Sequence, residues 1–567
     1  MTKAVHRSIR LSVSAAILGL VSTLASANPD KPNFLVIVAD DLGYSDIGSF
    51  GGEIETPSLD AIANSGTRLT NFVVAPTCSP TRSMLLSGTD SHLAGLGNMA
   101  EVVSDTQKGE HGYEGFLNAS VATLPEVLGD AGYETFMAGK WHLGRSEEHS
   151  PAARGFNNSF ALIQGGASSF SDMSAIQASD PVAIYRADGK QVDGLPEDFF
   201  ATHFYTDKAI EYIDNAIAKE KPFFGYLAYT APHWPLQAPD AYLDKYTGRY
   251  EEGYEAIREA RLKRMKELGI VADNIEVGPF IGGLPKWDEL TDEEREIEAR
   301  RMEVYAAMVD NLDANIGRLM DWLDKKGRLD NTVILFASDN GAEGNNPTLH
   351  PQTKQWIAEK FDNSLENMGR KGSYIWYGPQ WGQVGSTPFA FFKGFTSEGG
   401  IRAPAIIRYP DQNSDSQGSI DHSLYSVMDV MPTFLELAGV KAPDTPYKGR
   451  DIHPIQGMSM LNSLAAAQNG KERVLGWELF GRTAIRKGDW KLRHIGAPFE
   501  SRQWALFNVK SDPAELVDLS DEYPDKVSDL KAEWKDYAER NNVIELTPEE
   551  MQKIGYSFYN CVFDHCI

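Results

Sequence analysis

The chain has 567 residues, 42% of them hydrophobic, which is enough to bury a large core and points to two or more domains. Its 80 acidic residues outnumber the 54 basic ones, and the formal net charge of −26 disfavours binding to nucleic acid or to an anionic membrane surface. Any anionic substrate must therefore be held by a local cationic pocket.

The first 27 residues have the pattern of a secretory signal peptide. Basic residues precede an apolar stretch over residues 11–24, and Ala25-Ser26-Ala27 is a small-x-small cleavage site. We therefore expect export to the periplasm or the extracellular space, with cleavage near Ala27 and a mature chain starting near Asn28. No later stretch is long and apolar enough to cross a bilayer, so stable membrane insertion is not expected.

Four short apolar runs, each typical of a strand buried on both faces, end abruptly in polar residues. They are residues 33–39 before Asp40-Asp41, residues 133–138 before Gly139-Lys140-Trp141-His142, residues 222–228 before Pro232-His233-Trp234, and residues 332–337 before Asp339-Asn340-Gly341.

Helical periodicity separates these runs. Apolar residues recur at three- and four-residue spacing over residues 58–65, 123–131, 206–219 and 294–325. Alternating strands and helices predict an α/β fold with a largely parallel sheet. Because ligands bind beyond the carboxyl ends of such strands, the polar residues that follow them are expected to meet in one crevice.

The last hundred residues have a different pattern. Residues 474–479, 483–486, 490–495 and 504–509 are short strand-like runs with turn signals between them, and residues 525–541 form an amphipathic helical pattern. The sequence therefore predicts a signal peptide (residues 1–27), a catalytic domain (residues 28–468) and a C-terminal domain of antiparallel sheet plus helix (residues 469–567).

The acidic pairs that follow two of the strands suggest a metal site. Asp40, Asp41, Asp339 and Asn340 offer only oxygen ligands, which suit calcium or magnesium better than zinc. One such pair alone is more often a turn or a helix cap. Two pairs, each closing a buried strand, favour a site.

Cys78 opens the segment Cys78-Ser79-Pro80-Thr81-Arg82. Pro80 favours a helix start and Gly88 a helix stop, which places Cys78 at a helix N-terminus, where anions are favoured. Cys78 is then either an inert thiol or a thiolate nucleophile, although a thiolate beside a metal would be unusual for a hydrolase. The other two cysteines, Cys561 and Cys566, are close enough in sequence to form a disulfide in an oxidising compartment.

The segment Cys-x-Pro-x-Arg followed by a helix resembles the signature of the formylglycine-dependent sulfatases, which belong to the alkaline-phosphatase-like superfamily. The resemblance covers essentially the whole mature chain and is strongest to bacterial arylsulfatases around residues 234–238 and 363–381. The other matching segments are Asp40-Asp41, Gly139-Lys140-Trp141-His142-Leu143-Gly144, Pro232-His233-Trp234-Pro235, Asp339-Asn340-Gly341, and Lys393 ahead of Glu398-Gly399-Gly400-Ile401-Arg402.

The resemblance implies a large mixed, mostly parallel sheet flanked by helices, with a C-terminal four-stranded antiparallel sheet and helix. It implies hydrolysis of sulfate monoesters, with aryl sulfates as the expected class, through a formylglycine hydrate and a covalent sulfated intermediate. A maturation enzyme would convert Cys78 to formylglycine. One Ca²⁺ would be bound by Asp40, Asp41, Asp339, Asn340 and the modified Cys78.

The resemblance also implies roles in catalysis. One hydroxyl of the hydrate attacks sulfur with help from Asp339, and His233 or Lys393 protonates the leaving alcohol. The second hydroxyl then loses its proton to His142 as sulfate is expelled. The groups expected to hold the sulfate oxygens, besides the calcium, are Lys140, Lys393 and Arg82, the last of which also braces the hydrate.

An aromatic cluster precedes Lys393, and its role is open. It is either ordinary core packing or an apolar wall for the group that the sulfate esterifies. Its members are Tyr374, Trp376, Tyr377 and Trp381.

Two other functions compete with a sulfatase. A phosphate or phosphonate monoester hydrolase of the same superfamily would share the metal site. A non-catalytic calcium- or anion-binding protein would keep Cys78 as a thiol, but it would not need the full set of lysines and histidines.

Overall fold

The computed structural model describes residues 31–349, 351–410, 417–462, 472–496, 499–500, 504–547 and 549–551. The predicted signal peptide lies outside these residues, as do Cys561 and Cys566. Within the described ranges, no helix combines the length and the apolarity that a bilayer span requires.

The strands and helices alternate through most of the chain. The strands are β1 (Asn33–Ala39), β2 (Thr67–Val73), β3 (Glu134–Lys140), β4 (Asn158–Leu162), β5 (Ser174–Gln177), β6 (Asp180–Val182), β7 (Tyr185–Ala187), β8 (Lys190–Gln191), β9 (Phe223–Ala228), β10 (Thr332–Ser338), β11 (Arg402–Arg408), β12 (Ser419–Asp421), β13 (Tyr425–Ser426), β14 (Val474–Leu479), β15 (Arg482–Lys487), β16 (Trp490–His494) and β17 (Ala505–Asn508). The helices are α1 (Pro57–Ser65), α2 (Cys78–Ser87), α3 (Leu124–Asp130), α4 (Ala201–Ala218), α5 (Asp240–Leu243), α6 (Gly253–Glu267), α7 (Asp292–Lys325), α8 (Pro351–Lys360), α9 (Gly378–Gly385), α10 (Glu398–Ile401), α11 (Val430–Leu437) and α12 (Pro524–Arg540).

The central sheet is mixed and mostly parallel, as predicted. Its strand order over the described residues is β12-β2-β11-β10-β1-β9-β3-β4-β7-β8, with β13 also paired to β2. The five strands from β10 to β4 are parallel to one another, whereas β11 runs antiparallel to both β10 and β2. The carboxyl ends of β10, β1, β9 and β3 therefore meet at one edge, where the polar residues were expected.

Strand β1 shows why these runs are apolar throughout. Leu35 and Ile37 pack into the core on one face of the sheet, while Val36 and Val38 pack into the core on the other. Both faces of the strand are covered by helices, so the alternation of a half-exposed strand is lost. The predicted bounds of the four strands are confirmed to within two residues.

Helix α2 begins at Cys78 itself, two residues earlier than Pro80 suggested. Thr77 is its N-cap residue, and Gly88 ends it in the left-handed conformation, with φ of 64°. The first residue of the helix is thus the candidate nucleophile, and the prediction that Cys78 lies at a helix N-terminus is confirmed.

The C-terminal sheet is antiparallel in the order β14-β15-β16-β17, and α12 packs on one face. Ile485, Leu492 and Leu506 from the sheet form a small core with Leu530 and Trp534 from the helix. This confirms the predicted four-stranded sheet plus helix. The domain boundary at residues 468/469 stays a prediction, because it falls outside the described residues.

Buried ion pairs attach this sheet to the rest of the chain. Lys491 on β16 is fully buried between Glu398 (2.9 Å) and Glu515 (3.1 Å). The indole Nε1 of Trp477 donates to the carbonyl of Val74 at 2.9 Å. Breaking such a buried pair by removing one partner leaves an uncompensated charge, so these contacts fix how the sheet packs against the residues next to α2.

A buried histidine at the same contact predicts a pH-dependent stability. His92 lies between Asp90 (Nδ1–Oδ1, 2.8 Å) and Glu478 on β14 (Nε2–Oε2, 3.6 Å), and Tyr537 on α12 donates to Asp90. Burial alone would lower the pKa of His92, but the hydrogen bond and charge of Asp90, with Glu478, raise it from 6.5 to about 9.

Because the pKa of His92 is raised on folding, the stabilisation is complete below pH 6.5 and is lost as the pH rises through about 9. We expect the free energy of unfolding of the wild type to exceed that of His92→Gln by roughly 3 kcal/mol more at about pH 6 than at about pH 10. Chemical unfolding of both proteins across this range measures the difference. A gap that stays constant with pH would contradict the assignment.

Candidate active site

Two acidic pairs meet at the carboxyl edge of the sheet. Asp40 and Asp41 follow β1, Asp339 and Asn340 follow β10, and the parallel register pairs Ala39 with Ser338. The backbone N–H of Asp41 donates to Asp339 Oδ1 at 3.2 Å. All four side chains are essentially inaccessible to solvent.

This arrangement fits a divalent cation. Ligand atoms of Asp40, Asp41, Cys78 and Asp339 all lie within 4.8 Å of one another. In addition, Asp41 Oδ2 and Asn340 Oδ1 are buried without a hydrogen-bond partner. Such orphaned oxygens are costly unless something satisfies them, and a hard cation with oxygen ligands would do so.

Each of the three carboxylates is also paired with one basic side chain. Lys140 Nζ lies 2.9 and 2.7 Å from the two oxygens of Asp40, and Lys393 Nζ lies 2.7 Å from Asp41 Oδ1. The guanidinium of Arg82 donates twice to Asp339 Oδ2, at 2.9 and 2.7 Å. The three cations predicted to hold sulfate are therefore positioned by the predicted metal ligands.

Burial has opposite net effects on two of these carboxyl groups. Burial raises the pKa of Asp40 to about 8, although Lys140 opposes the change. The pKa of Asp41 is instead held well below its usual range, because Lys393 and His233 outweigh the effect of burial. A carboxyl group with a raised pKa next to ionised ones indicates a site that binds a cation in its fully ionised form.

Cys78 Sγ lies 4.0 Å from Asp41 Oδ1, and the residue is 1% exposed. Burial raises the pKa of the Cys78 thiol well above its usual range, with Asp339 and Asp40 adding to the effect. A thiol of this kind is a poor nucleophile at neutral pH, because the thiolate is the reactive form. This observation argues against the thiolate alternative.

Both predicted histidines are brought to the site. His233 donates from Nδ1 to the carbonyl of Trp234, and its Nε2 lies 3.5 Å from Asp41 Oδ2. Burial, with the charges of Lys393 and Lys140, lowers the pKa of His233 to about 3. His142 lies on the opposite side of the same cleft, where its Nε2 contacts Glu101 Oε2 at 3.2 Å.

Above Cys78 the site opens into a cleft with about 600 Å³ of empty space. Its base includes Cys78, His142, His233 and Lys393. An apolar wall is formed by Met99, Val102, Ala175, Ile176 and Trp234, and a polar rim by Glu101, Arg145, Gln164, Gln177 and Asp180. The hairpin of β5 and β6 contributes to both.

The aromatic cluster is resolved as core packing, not as the wall of this cleft. Its four members are at most 7% exposed and belong to the main hydrophobic core. Tyr374 lies behind the wall, with its ring centroid 5.7 Å from that of Trp234. Tyr377 stacks on Tyr305 of α7 at 4.5 Å.

Comparison with known proteins identifies the family. A model of the family described as sulfatase matches residues 32–440, about three-quarters of the chain and all of the residues assembled above. The chain belongs to the sulfatase family. A second family model, described as the C-terminal part of N-sulphoglucosamine sulphohydrolase, matches residues 389–541, which include the C-terminal sheet and α12 of this sulfatase.

Curated relatives agree with the family. The sulfatase is 46% identical over 532 residues to an uncharacterised sulfatase of Schizosaccharomyces pombe, with 91% of this chain and 95% of the relative covered. It is 41% identical over 451 residues to an arylsulfatase of Klebsiella aerogenes, with 79% of this chain and 95% of the relative covered. The protein is therefore a sulfuric ester hydrolase.

A solved structure gives the same fold. The crystal structure of Ps i-CgsB in complex with k-i-k-neocarrahexaose superimposes with a TM-score of 0.64 at 25% identity, covering 92% of this chain and 96% of the other. The sulfatase thus has the alkaline-phosphatase-like fold that the sequence predicted.

The structure places two acids in the sulfatase site that the sequence did not single out. Glu343 lies 3.0 Å from Lys393 Nζ, on the opposite side from Asp41. Glu101 faces His142. Their contacts with Lys393 and His142 span 50 and 41 residues of sequence, so no local spacing marks them.

Proposed function

We propose that this sulfatase hydrolyses aryl sulfate monoesters, with Cys78 converted to formylglycine and one Ca²⁺ bound by Asp40, Asp41, Asp339, Asn340 and the modified residue. The observation that carries the proposal is the cleft, whose base joins residue 78 to two lysines and two histidines and whose wall is apolar. The relative from Klebsiella aerogenes, named arylsulfatase, supports the substrate class.

The formylglycine side chain, once hydrated, supplies two hydroxyls on one carbon, one to attack sulfur and the other to allow sulfate to leave. Residue 78 is suited to this because it begins α2, where the unpaired N–H groups and the helix dipole favour negative charge. A dedicated maturation enzyme must act before folding is complete, since Cys78 is 1% exposed in the folded chain.

The bound Ca²⁺ would supply positive charge next to residue 78 and complete the orphaned oxygens of Asp41 and Asn340. Calcium is proposed over magnesium because it tolerates an irregular cage rich in carboxylates.

The basic side chains bind the sulfate group. Lys140 and Lys393 point at the metal-binding carboxylates from two sides, so that their remaining N–H donors are available to sulfate oxygens. Arg82 acts differently from the expectation, because its guanidinium is committed to Asp339 and to the carbonyl of Lys140. We assign it to holding Asp339 in place, and the bracing of residue 78 follows from that.

The leaving group needs a proton donor, and Lys393 is the better placed of the two candidates. Burial keeps His233 neutral, and its one N–H is committed to the carbonyl of Trp234, which leaves Nε2 as a lone pair. Lys393 has three donors and lies in the base of the cleft. We therefore assign Lys393 as the general acid and His233 as a group that orients Asp41 and the substrate.

The phosphate or phosphonate monoester hydrolase remains the second candidate, and charge argues against it. The three cation–carboxylate pairs balance, so Glu343 and a bound Ca²⁺ leave a net charge of about +1. This matches a sulfate monoester, which carries one negative charge, better than a phosphate monoester, which carries nearly two.

We expect the kcat/KM for an aryl sulfate to exceed that for the phosphate of the same phenol by roughly 100-fold, equivalent to ~3 kcal/mol. Measuring both esters with one preparation of enzyme tests the proposal. If the phosphate is the better substrate, the phosphatase function should replace this one.

We also propose that the protein is exported, on the strength of the signal-peptide pattern ahead of residue 28. N-terminal sequencing of the secreted or periplasmic protein checks the cleavage position near Ala27.

A further inference from the structure

A carboxylate that has no assigned role faces one of the catalytic histidines. Glu101 lies in a short 3-10 turn, Ala100–Val102, at the edge of the cleft. Its Oε2 is 3.2 Å from Nε2 of His142, and the two side chains are 17% and 8% exposed. The pair is therefore largely shielded from water, which strengthens the interaction between them.

The contact fixes which ring nitrogen of His142 carries the proton. An ionised carboxylate only accepts hydrogen bonds, so Nε2 must carry the hydrogen that faces Glu101. The other nitrogen, Nδ1, is buried and has no hydrogen-bond partner in the described part of the chain. In neutral imidazole, Nδ1 then carries the lone pair, which makes it available to accept a proton.

The backbone around His142 holds the ring in this orientation. His142 adopts a left-handed conformation with φ of 54°, which is uncommon for a residue with a side chain. The ring lies against Gly165, where a Cβ atom would come within 2.9 Å of Cε1 and 3.1 Å of Nε2. The absence of a side chain at Gly165 thus makes room for the ring facing Glu101.

The charges around the ring keep it ready to take up a proton. Burial lowers the pKa of His142, and the positive charges of Lys140 and Arg82 act in the same direction, so the imidazole is neutral at pH 7. The pKa of Glu101 is lowered by His142 and Arg145 despite its burial, so its carboxylate is ionised. An ionised carboxylate stabilises the imidazolium that forms when His142 accepts a proton.

We propose that Glu101 is the positioning residue for the sulfate-release step: it holds His142 with Nε2 protonated, so that Nδ1 accepts the proton of the second hydroxyl on residue 78. This inference rests on the proposed function. In the step, the O–H bond of that hydroxyl breaks and its proton goes to Nδ1. The C–O bond to sulfate breaks with its electron pair on the departing sulfate, and the carbonyl of residue 78 is restored. Glu101 gains no proton.

Two substitutions separate the hydrogen bond from the charge. Glu101→Gln can still accept from Nε2–H through its amide oxygen but cannot stabilise the imidazolium by charge, whereas Glu101→Leu loses both. We expect kcat to fall by roughly 10-fold in the first variant and ~100-fold in the second. Glu110→Gln, an exposed acid nine residues away, is the matched control and should retain wild-type kcat.

The step that slows distinguishes positioning from general damage. Because only sulfate release is affected, both variants should release the first equivalent of phenol in a burst at the wild-type rate and then turn over slowly. Mass measurement of the peptide containing residue 78 should show sulfate accumulating on it. Equal slowing of the burst and of turnover, without sulfated enzyme, would overturn the proposal.

A spectroscopic readout tests the tautomer without turnover. With ¹⁵N-labelled histidine, and with Glu101→Leu compared against the wild type, the nitrogen resonances of His142 should change from one tautomer to a mixture. An unchanged spectrum would overturn the inference. If the wild type itself carries no formylglycine and does not turn over, the proposed function fails. If the wild type is active and Glu101→Leu behaves like it, only this inference fails.

Discussion

Replacing Cys78 with alanine is expected to lower kcat/KM for an aryl sulfate by roughly 10⁵-fold while the fold survives. Alanine has no sulfur to be oxidised, so neither hydroxyl of the proposed nucleophile can form, while the surrounding lysines and histidines remain. The residue is 1% exposed, and loss of one sulfur atom from a packed position costs about 1 kcal/mol, which a domain of this size tolerates.

The matched control is Ser79→Ala. Ser79 is the next residue of α2, is equally buried, and its hydroxyl has no hydrogen-bond partner in the described residues. The substitution keeps Cys78, Pro80 and Arg82, so maturation should proceed and activity should stay within about 3-fold of the wild type.

Peptide mass measurement decides the chemistry. Residue 78 of active wild-type protein should have the mass of an aldehyde and should react with a hydrazide. Full activity in protein whose Cys78 is still alkylated stoichiometrically as a thiol would show that the formylglycine mechanism is wrong, and the raised pKa of the buried thiol would then need a different explanation.

The parallel centre of the fold could be predicted because burial on both faces leaves a plain signature. Strands β1 and β10 are each fully buried and apolar, and the first polar residues after them mark the edge of the sheet. Parallel pairing then requires the two acidic pairs to meet, whatever the details of the helices between them. The metal site was therefore accessible from sequence before any geometry was known.

The antiparallel part of the central sheet could not be predicted in the same way. Strand β11 lies between β10 and β2, which precede it by more than 60 and more than 300 residues in sequence. Its sequence begins with Arg402 and contains Pro404, and its first residues follow directly from α10. Its position depends on tertiary contacts, not on a local apolar run.

The roles of charged residues were predicted less well than their presence in the site. Arg82 was expected to touch residue 78 and sulfate, but its donors are used by Asp339 and the carbonyl of Lys140. Glu101 and Glu343 were missed because each is one acid among 80, in a loop without regular periodicity. A motif names the residues of a site, but which donor meets which acceptor is decided by packing.

Asp41→Asn is expected to lower calcium affinity by roughly 100-fold and kcat/KM by roughly 1000-fold. Asp41 is the most connected of the metal-binding residues. Its Oδ1 accepts from Lys393 and Asn340 at 2.7 Å each, and its Oδ2 has no hydrogen-bond partner in the described chain and faces His233 at 3.5 Å. Asparagine keeps the shape but removes the charge, so the variant weakens both the cation site and the position of Lys393.

Chelation tests the same site without a mutation. Removing Ca²⁺ from the wild type should abolish activity and lower the thermal unfolding midpoint, because a ligand that binds only the folded state stabilises it by about 3 kcal/mol at 100 times its dissociation constant. Adding Ca²⁺ back should restore both. Asp41→Asn should show a much smaller change on chelation, whereas Asp105→Asn, an exposed acid outside the site, should behave like the wild type.

Elemental analysis of the active protein identifies the cation independently of activity. The oxygen-only ligand set, with three carboxylates and one amide, predicts one calcium per chain, and sulfur or imidazole ligation would be needed to favour zinc. Cys78 is the one sulfur near the site, and its oxidation to formylglycine replaces that sulfur with oxygen. Maturation would therefore make the site harder in the sense of ligand chemistry at the same time as it makes the nucleophile. Stoichiometric zinc without calcium in active enzyme would contradict both the metal assignment and this link between the two.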